Sequence, residues 1–308
     1  MNAPSISIPT APRSPLTGRA NASALETKSA AELIDVWQER FGIDIRGELN
    51  GASEVTMYRC NDTGIRFFSP ADIVGSAQLY ASLQRIDWYY RDEKWEQEYA
   101  LDRMSATDKV LEVGCGTGGF LKMAGRRGIE VRGIEINAEA VEAAKAEGLC
   151  AEHVLLSEFA AREPESVDFL CAFQVLEHVP DPLAFLTDCL KCVRPGGQMI
   201  FAVPNSKGYL RYQFEPLDWP PHHCARWSGQ AFRYLSRLLP VRVASIAYEP
   251  VNDWSVEFYA GAALKEAGAM VIPGARQLPR VMKHLGRTRL GRYLHWGHSM
   301  CAVLERKS

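Results

Sequence analysis

Between residues 108 and 205 the apolar positions alternate between short continuous runs and helical spacing. Val110–Val113 reads as a short buried strand and Phe120–Arg127 as a helix. Glu130–Ile136 reads as a second strand, and Ala138–Ala146 (A-E-A-V-E-A-A-K-A) is rich in strong helix formers. Ala151–Leu155 is a third strand, and Val167–Phe173, apolar throughout but for one acid, a fourth. A helix over Pro182–Val193 stops at Pro195-Gly196-Gly197, and a fifth strand over Met199–Val203 ends at Pro204-Asn205. Aliphatic strands alternating with helices predict a doubly wound α/β unit, its mostly parallel sheet buried on both faces.

The flanks differ in character. All seven tryptophans and all eleven tyrosines lie outside residues 100–208. Residues 1–29, with Pro4, Pro9, Pro12 and Pro15 among Ser, Ala, Thr and Asn, read as a disordered tail. Residues 30–104 read as an N-terminal helical or lid segment, with helices over Gln78–Tyr90 and Glu93–Met104. The main domain is expected over 105–308, its ligand-binding half at 105–205 and its substrate half at 206–308. In that second half a helix is expected from Gly229 to about Leu239. Val241–Tyr248 and Ser299–Glu305 complete the sheet at its edge, for seven strands in all.

Charge and cysteine content narrow the class. Thirty-five basic against 37 acidic side chains give a formal charge of −2, without the basic field of a nucleic-acid binder. No apolar run approaches the ~18 residues that cross a bilayer, and no segment reads as a secretory signal. The eight cysteines form one close pair, Cys189-x-x-Cys192, at a helix end; without a second pair it reads as buried packing and not a zinc site. With no disulfide framework, a reducing cytoplasm is the expected location. Composition leaves the oligomeric state open.

The most informative string is V-L-E-V-G-C-G-T-G-G-F, Val110–Phe120. A buried strand enters a turn at Gly114, Gly116 and Gly118, where a missing Cβ lets backbone approach a ligand closely. The following helix offers free N–H groups and a partial positive end. At the end of the second strand, 21 residues past Gly114, Glu135 is placed to accept bonds from two ribose hydroxyls. Gly114-x-Gly116-x-x-Gly119 also fits a dinucleotide fingerprint, but the acid Glu112 inside the strand and the tighter turn favour a smaller ligand.

E-V-G-C-G-T-G, the acid at Glu135, V-L-E-H-V-P-D-P (Val175–Pro182) and R-P-G-G (Arg194–Gly197) occur in the order that resembles the class I S-adenosylmethionine-dependent methyltransferases. The resemblance spans about residues 108–205 and implies a Rossmann-like methyltransferase fold whose last strand is antiparallel. It also implies S-adenosylmethionine as cofactor. Glu112 and the Gly114, Cys115, Gly116, Gly118 turn would meet the methionine moiety and Glu135 would hold the ribose. Ile136 and Ser157 would border adenine, and Gln174 would lie beside the methionine end.

Transfer to a hydroxyl needs alignment and a base, for which histidine is the usual choice. His178 follows the fourth strand; His222 and His223 stand in L-D-W-P-P-H-H-C-A-R-W, Leu217–Trp227, a loop that looks like one in a bacterial subgroup of the family. These three are the candidate catalytic residues. Trp219, Trp227 and Tyr90 are candidate substrate contacts, with Tyr89 and Trp95 nearby in the aromatic stretch Asp87–Glu96. The F-Q-V-L-E-H-V run also resembles quinone-biosynthesis O-methyltransferases in which two acids and a histidine hold magnesium. Here Gln174 replaces the first acid, so no metal is assigned. Arg276–Arg292 carries six basic side chains and no acid, consistent with a solvated helix face or with attraction of an anionic substrate.

The expected activity is therefore cytoplasmic O-methylation of a small molecule with a loop histidine as base. N- or C-methylation, an NAD-type oxidoreductase and a non-catalytic methyltransferase-like subunit are the alternatives.

Overall fold

A computed structural model of the chain describes residues 11–86, 89, 94–208, 214–250 and 297–308. The first part contains β1 (Ala22–Ser29), α1 (Ala30–Phe41), β2 (Glu54–Cys60), β3 (Arg66–Ser69), α2 (Ala77–Leu83) and α3 (Trp95–Leu101). The alternating core follows: β4 (Val110–Val113), α4 (Gly119–Arg126), β5 (Val131–Glu135), α5 (Ala138–Ala146), β6 (Ala151–His153), α6 (Leu156–Arg162), β7 (Val167–Phe173), α7 (Pro182–Cys192) and β8 (Val193–Pro204). The chain then forms β9 (Ala225–Arg226), α8 (Gly229–Tyr234), β10 (Val241–Tyr248) and β11 (Ser299–Arg306).

Seven strands make the main sheet in the order β10-β11-β8-β7-β4-β5-β6. The pairs from β8 to β6 are parallel, and β11 lies antiparallel to both β8 and β10. This is the Rossmann-like methyltransferase arrangement expected from the sequence. The order reverses between β4 and β7, so the chain departs to opposite faces there and leaves a crevice at their C-terminal ends. Leu111 and Val113 of β4 point into one core layer, with Phe159, Leu170 and Phe201. Val110 points into the other, with Phe120, Phe173 and Val303. Side chains this deeply buried contribute roughly 1.5–3 kcal/mol each, and both faces of the sheet are covered.

Part of the expected N-terminal tail departs from expectation. Residues 22–29, read as part of a disordered tail, form β1 and pair antiparallel with β2 from Ala22↔Cys60 to Ser29↔Glu54. Ser29 then caps α1 through a reciprocal capping box with Glu32. The Ser-x-x-Glu spacing of this cap is visible in the sequence, although the prolines before it favour disorder. Nor is the segment to residue 104 purely helical: β1, β2 and β3 form a sheet whose fourth strand, β9, arrives from the far side of the chain. The register Arg66↔Arg226 and Phe67↔Ala225 ties the loop after β8 to this N-terminal layer.

Smaller differences concern element ends. The helices expected over 78–90 and 93–104 are shorter, Ala77–Leu83 and Trp95–Leu101. The fifth core strand starts at Val193, running through Gly196-Gly197 past a register shift against β7. Among the described residues no helix is long and apolar enough to cross a membrane. All eight cysteines are free, and Cys189 and Cys192 are buried in α7 as packing.

Candidate active site

The crevice at the C-terminal end of the sheet opens into a cleft of about 1610 Å³. Its floor is the turn after β4. Gly114 and Gly118 adopt φ of +75° and +85°, a left-handed region that costs other L-residues roughly 1–2 kcal/mol. A Cβ on Gly114 would lie 2.5 Å from Val175 Cγ2, and one on Gly118 2.3 Å from Leu149 Cδ1. Conformation therefore favours glycine at both positions, and at Gly114 the stiff β-branched Val175 leaves little room for a Cβ as well.

Glu135 ends β5 at the cleft wall. Its Oε2 accepts the Gly116 N–H at 3.0 Å, and its Oε1 accepts those of Ile136 and Asn137 at 2.8 and 2.9 Å. A carboxylate has about four acceptor sites, so one on Oε2 stays open to a ligand hydroxyl. Ile136 and Leu155, 71% and 52% exposed, are two large apolar side chains left in solvent, and both line the cleft beside Glu135. Ser157 lines the same wall.

Buried acids gather toward the inner end. Glu112 is buried with Oε2 unpartnered, and burial, then the charge of Glu135, pushes its carboxyl well above the usual range. Glu96 is buried and raised too; its Oε1 accepts a bond from Gln174 Nε2 at 3.1 Å. Gln174 itself sits at φ +57°, a left-handed conformation uncommon outside glycine. Glu177 lines the cleft with neither carboxyl oxygen partnered, and burial pushes it up to about 8. Lys94 also lines the cleft, and its charge acts on Glu96, Glu112 and Glu177 together.

The three histidines named from sequence converge on the opposite wall. One ring nitrogen of each of His178, His222 and His223 lies within 4.8 Å of those of the other two. His178 Nδ1 is 2.7 Å from the His222 carbonyl oxygen and 3.0 Å from Tyr80 Oη. His222 Nδ1 is 2.8 Å from the Leu217 carbonyl oxygen, and its Nε2 is 2.8 Å from Tyr89 Oη. His223 Nδ1 is 3.3 Å from Asp218 Oδ1, whose Oδ2 pairs with Arg226 at 2.8 Å. Burial drives all three imidazoles toward the neutral form: His178 falls to about 3 and His222 well below its ordinary value. His223 is lowered less, because Asp218 opposes the effect of burial. His222 spends both ring nitrogens on protein groups, so two nitrogens of the cluster stay open.

The remaining sequence candidates divide. Gly114, Gly116, Glu135, Ile136, Ser157 and Gln174 line the cleft. Glu112, Cys115 and Gly118 stand behind it: Cys115 is buried against Gly133, where a Cβ would meet its Sγ at 2.6 Å. Trp219 and Trp227 do not wall the pocket. Trp219 packs on Phe68 and Phe214 in the N-terminal core, and Trp227 on Phe232 in the main core. Their apolar area is hidden by the layer that β9 joins, which the loop's sequence does not show. Trp95 packs on Tyr99 and donates to Ser299 Oγ at 2.7 Å. Tyr90 and the basic stretch 276–292 lie outside the described residues. Sequence reading missed Tyr80, Lys94 and Asp218; only Asp218, five residues before His223, had a signal in its spacing.

A family model described as a methyltransferase domain matches residues 88–237. The ubiquinone biosynthesis O-methyltransferase of Ralstonia nicotianae is 30% identical over 165 residues, 48% of this chain and 69% of that protein. This chain is a class I S-adenosylmethionine-dependent methyltransferase. The methyltransferase is also 37% identical to the ubiquinone biosynthesis O-methyltransferase of Klebsiella pneumoniae over 106 residues, 32% of this chain but only 44% of that one. Among solved structures, a SAM dependent methyltransferase from Archaeoglobus fulgidus aligns with a TM-score of 0.48 and 17% identity, covering 68% of this chain and 94% of the other.

The cofactor is S-adenosylmethionine, and the methyltransferase's residues fit it. The glycine turn keeps side chains off the floor, Glu135 keeps an acceptor open, and Ile136 and Leu155 offer apolar surface for a flat base. Glu177, which lines the cleft with both carboxyl oxygens unpartnered, adds a buried polar group open to a ligand.

Proposed function

We propose that this methyltransferase transfers a methyl group to a hydroxyl oxygen of a small molecule, with a histidine of the 217–227 loop receiving the proton. One observation carries the reading: histidines from two separate loops line the same cleft as the glycine turn and Glu135. Relatives named for O-methylation support oxygen as the acceptor atom. The acceptor is a small molecule; the balanced charge of the chain gives no basic field for a nucleic acid. The six basic side chains of 276–292 support an acceptor with negative charge. Free cysteines throughout support a reducing, cytoplasmic setting.

When bound, S-adenosylmethionine supplies an electrophilic methyl on a sulfonium. The chain's task is then alignment, which is worth up to ~7–11 kcal/mol of barrier. Gly114 and Gly116 hold the methionine side, Glu135 the ribose, and Ile136 with Ser157 and Leu155 the adenine. Gln174, turned by its left-handed backbone, borders the methyl. Tyr80, Tyr89 and the histidines form the acceptor side, where neutral imidazoles can take a proton without first losing one.

The test is transfer by His222→Ala and His223→Ala variants, assayed with radiolabelled cofactor against a panel of hydroxyl and amine acceptors. Loss of transfer to hydroxyls with S-adenosylhomocysteine binding retained is expected. Full activity in both variants, or transfer to amines alone, overturns the reading.

A further inference from the structure

We propose that Asp218, braced by Arg226, is the positioning residue that makes His223, rather than His178 or His222, the acceptor of the hydroxyl proton. The inference rests on the O-methylation reading and adds the residue that selects among three clustered imidazoles.

The hydrogen bonds decide which rings are open. A carbonyl oxygen only accepts, so His222 carries its proton on Nδ1, facing Leu217 O, and its Nε2 accepts from the Tyr89 hydroxyl. It has no lone pair left for an acceptor. His178 likewise carries its proton on Nδ1, toward His222 O, and its Nε2 is open. No carboxylate is bonded to it: its Nδ1 partners are a neutral carbonyl and the Tyr80 hydroxyl, which also donates to that carbonyl at 3.3 Å, and the charge of Lys94 disfavours an imidazolium there. An imidazolium formed there would be buried without a counter-charge.

His223 differs in what backs it. Asp218 is 4% exposed and stays ionised; burial works against its charge, but Arg226 and His223 hold the carboxyl well below the usual range. Its Oδ1 lies 3.3 Å from His223 Nδ1, so the carboxylate favours the proton on that nitrogen and leaves Nε2 unprotonated. Oδ2 is occupied by Arg226, so the carboxylate cannot rotate away. Arg226 in turn is locked in β9 by pairing with β3. Besides Asp218 and Arg226, the titratable groups set around His223 are His178 and His222, ring centroids 4.8 and 4.5 Å away, and His298.

The step balances within the residues and cofactor already named. His223 Nε2 takes the hydroxyl proton as the acceptor oxygen forms its bond to the methyl carbon. The carbon–sulfur bond breaks with its electron pair remaining on sulfur, and the positive charge passes from sulfonium to imidazolium, which Asp218 stabilises. The proton then leaves to solvent in the cleft.

The experiment is histidine-selective 15N NMR on the full chain, titrated from pH 4 to 8, with wild type, Asp218→Asn and Arg226→Gln. His223, assigned by a His223→Asn spectrum, is expected as the Nδ1–H tautomer. Asp218→Asn removes the charge that favours imidazolium, so the His223 midpoint moves to lower pH. Arg226→Gln removes a charge that opposes it, so the midpoint moves to higher pH. Transfer to a hydroxyl acceptor found in the panel should fall about 10²- to 10⁴-fold in Asp218→Asn, with partial rescue by Asp218→Glu and S-adenosylhomocysteine affinity unchanged. Should Asp218→Asn not fold, Arg226→Gln carries the test through its opposite shift. An Nε2–H tautomer, or midpoints that do not move in these directions, overturns the inference. Absence of transfer to every hydroxyl, with the NMR signature intact, instead overturns the O-methylation reading.

Discussion

Gly114→Ala tests whether the cleft floor is built on one contact. Gly114 holds φ +75°, which costs an alanine about 1–2 kcal/mol. The new Cβ would stand 2.5 Å from Val175 Cγ2, closer than real Cβ contacts come. Neither partner can retreat freely: the Gly114 N–H is tied to Ile134 O at 2.8 Å, and a β-branched valine has few rotamers to choose from. Overpacking of this kind costs about 1–3 kcal/mol, for a total of about 2–5 kcal/mol. Val175→Ala removes the offending methyl, so in that background Gly114→Ala should cost only the backbone part, about 1–2 kcal/mol. The double-mutant cycle should therefore show about 1–3 kcal/mol of coupling. Urea unfolding of the four proteins gives the stabilities. Calorimetry with S-adenosylhomocysteine gives the cost to the site, since both residues line the cleft. Equal costs of Gly114→Ala in both backgrounds would refute the steric argument, and a cost near zero in wild type would refute the conformational one as well.

Three further outcomes follow from the same geometry. Lys94 lines the cleft near the methionine side and is expected to meet the carboxylate of the cofactor. Lys94→Met should then weaken S-adenosylhomocysteine about tenfold or more, as for a lost charged hydrogen bond, while 5′-methylthioadenosine, which lacks the amino-acid end, binds unchanged; equal losses for both ligands would overturn this role for Lys94. Glu135→Ala should cost about 1–3 kcal/mol of cofactor binding, and unchanged calorimetric affinity would take the residue out of the ribose site. Glu177 is protonated in the fold up to about pH 8 but ionises near 4.5 when unfolded, so its contribution to stability is full below 4.5 and is lost as pH rises toward 8. Glu177→Gln should flatten that decline and equal or exceed wild-type stability at pH 8; a variant whose melting temperature falls with pH as steeply as wild type would show that Glu177 is not the group responsible.

Much of the core was legible because its signals are local. The runs at Val110–Val113 and Val167–Phe173, the glycine turn and the acid at Glu135 need only neighbours in sequence to be read, and each lies where periodicity and spacing put it. The N-terminal layer was not legible for the opposite reason. β1 exposes most of its side chains and carries no apolar alternation, so only its partner β2, about thirty residues on, reveals it as a strand. The histidine loop shows both effects. His222 and His223 were recognisable as chemistry, yet a Pro-rich loop suggests exposure, and both rings are about 5% exposed. Trp219 and Trp227 were misplaced by the same error: if the loop were a surface flap its tryptophans would face the pocket, whereas β9 turns their rings into two cores.

That burial explains why the N-terminal layer belongs to the site. Arg226 is held by β3, the Ser206 N–H bonds Trp227 O at 3.0 Å, and the Cys224 N–H bonds Glu177 O at 2.8 Å. The loop is thus fastened to both sheets and to the segment carrying His178. Tyr80 and Tyr89 reach it from the N-terminal side as well. An exposed loop would leave its histidines solvated, free to rotate and partly protonated at neutral pH. Fastening it between two sheets fixes the tautomers and keeps the rings neutral, at the cost of burying Asp218, which only a second buried charge, Arg226, makes tolerable. Removing the β3–β9 pairing should therefore damage the histidine cluster before it damages the cofactor floor, because Gly114, Gly116 and Glu135 sit at the ends of β4 and β5, which pair only within the main sheet.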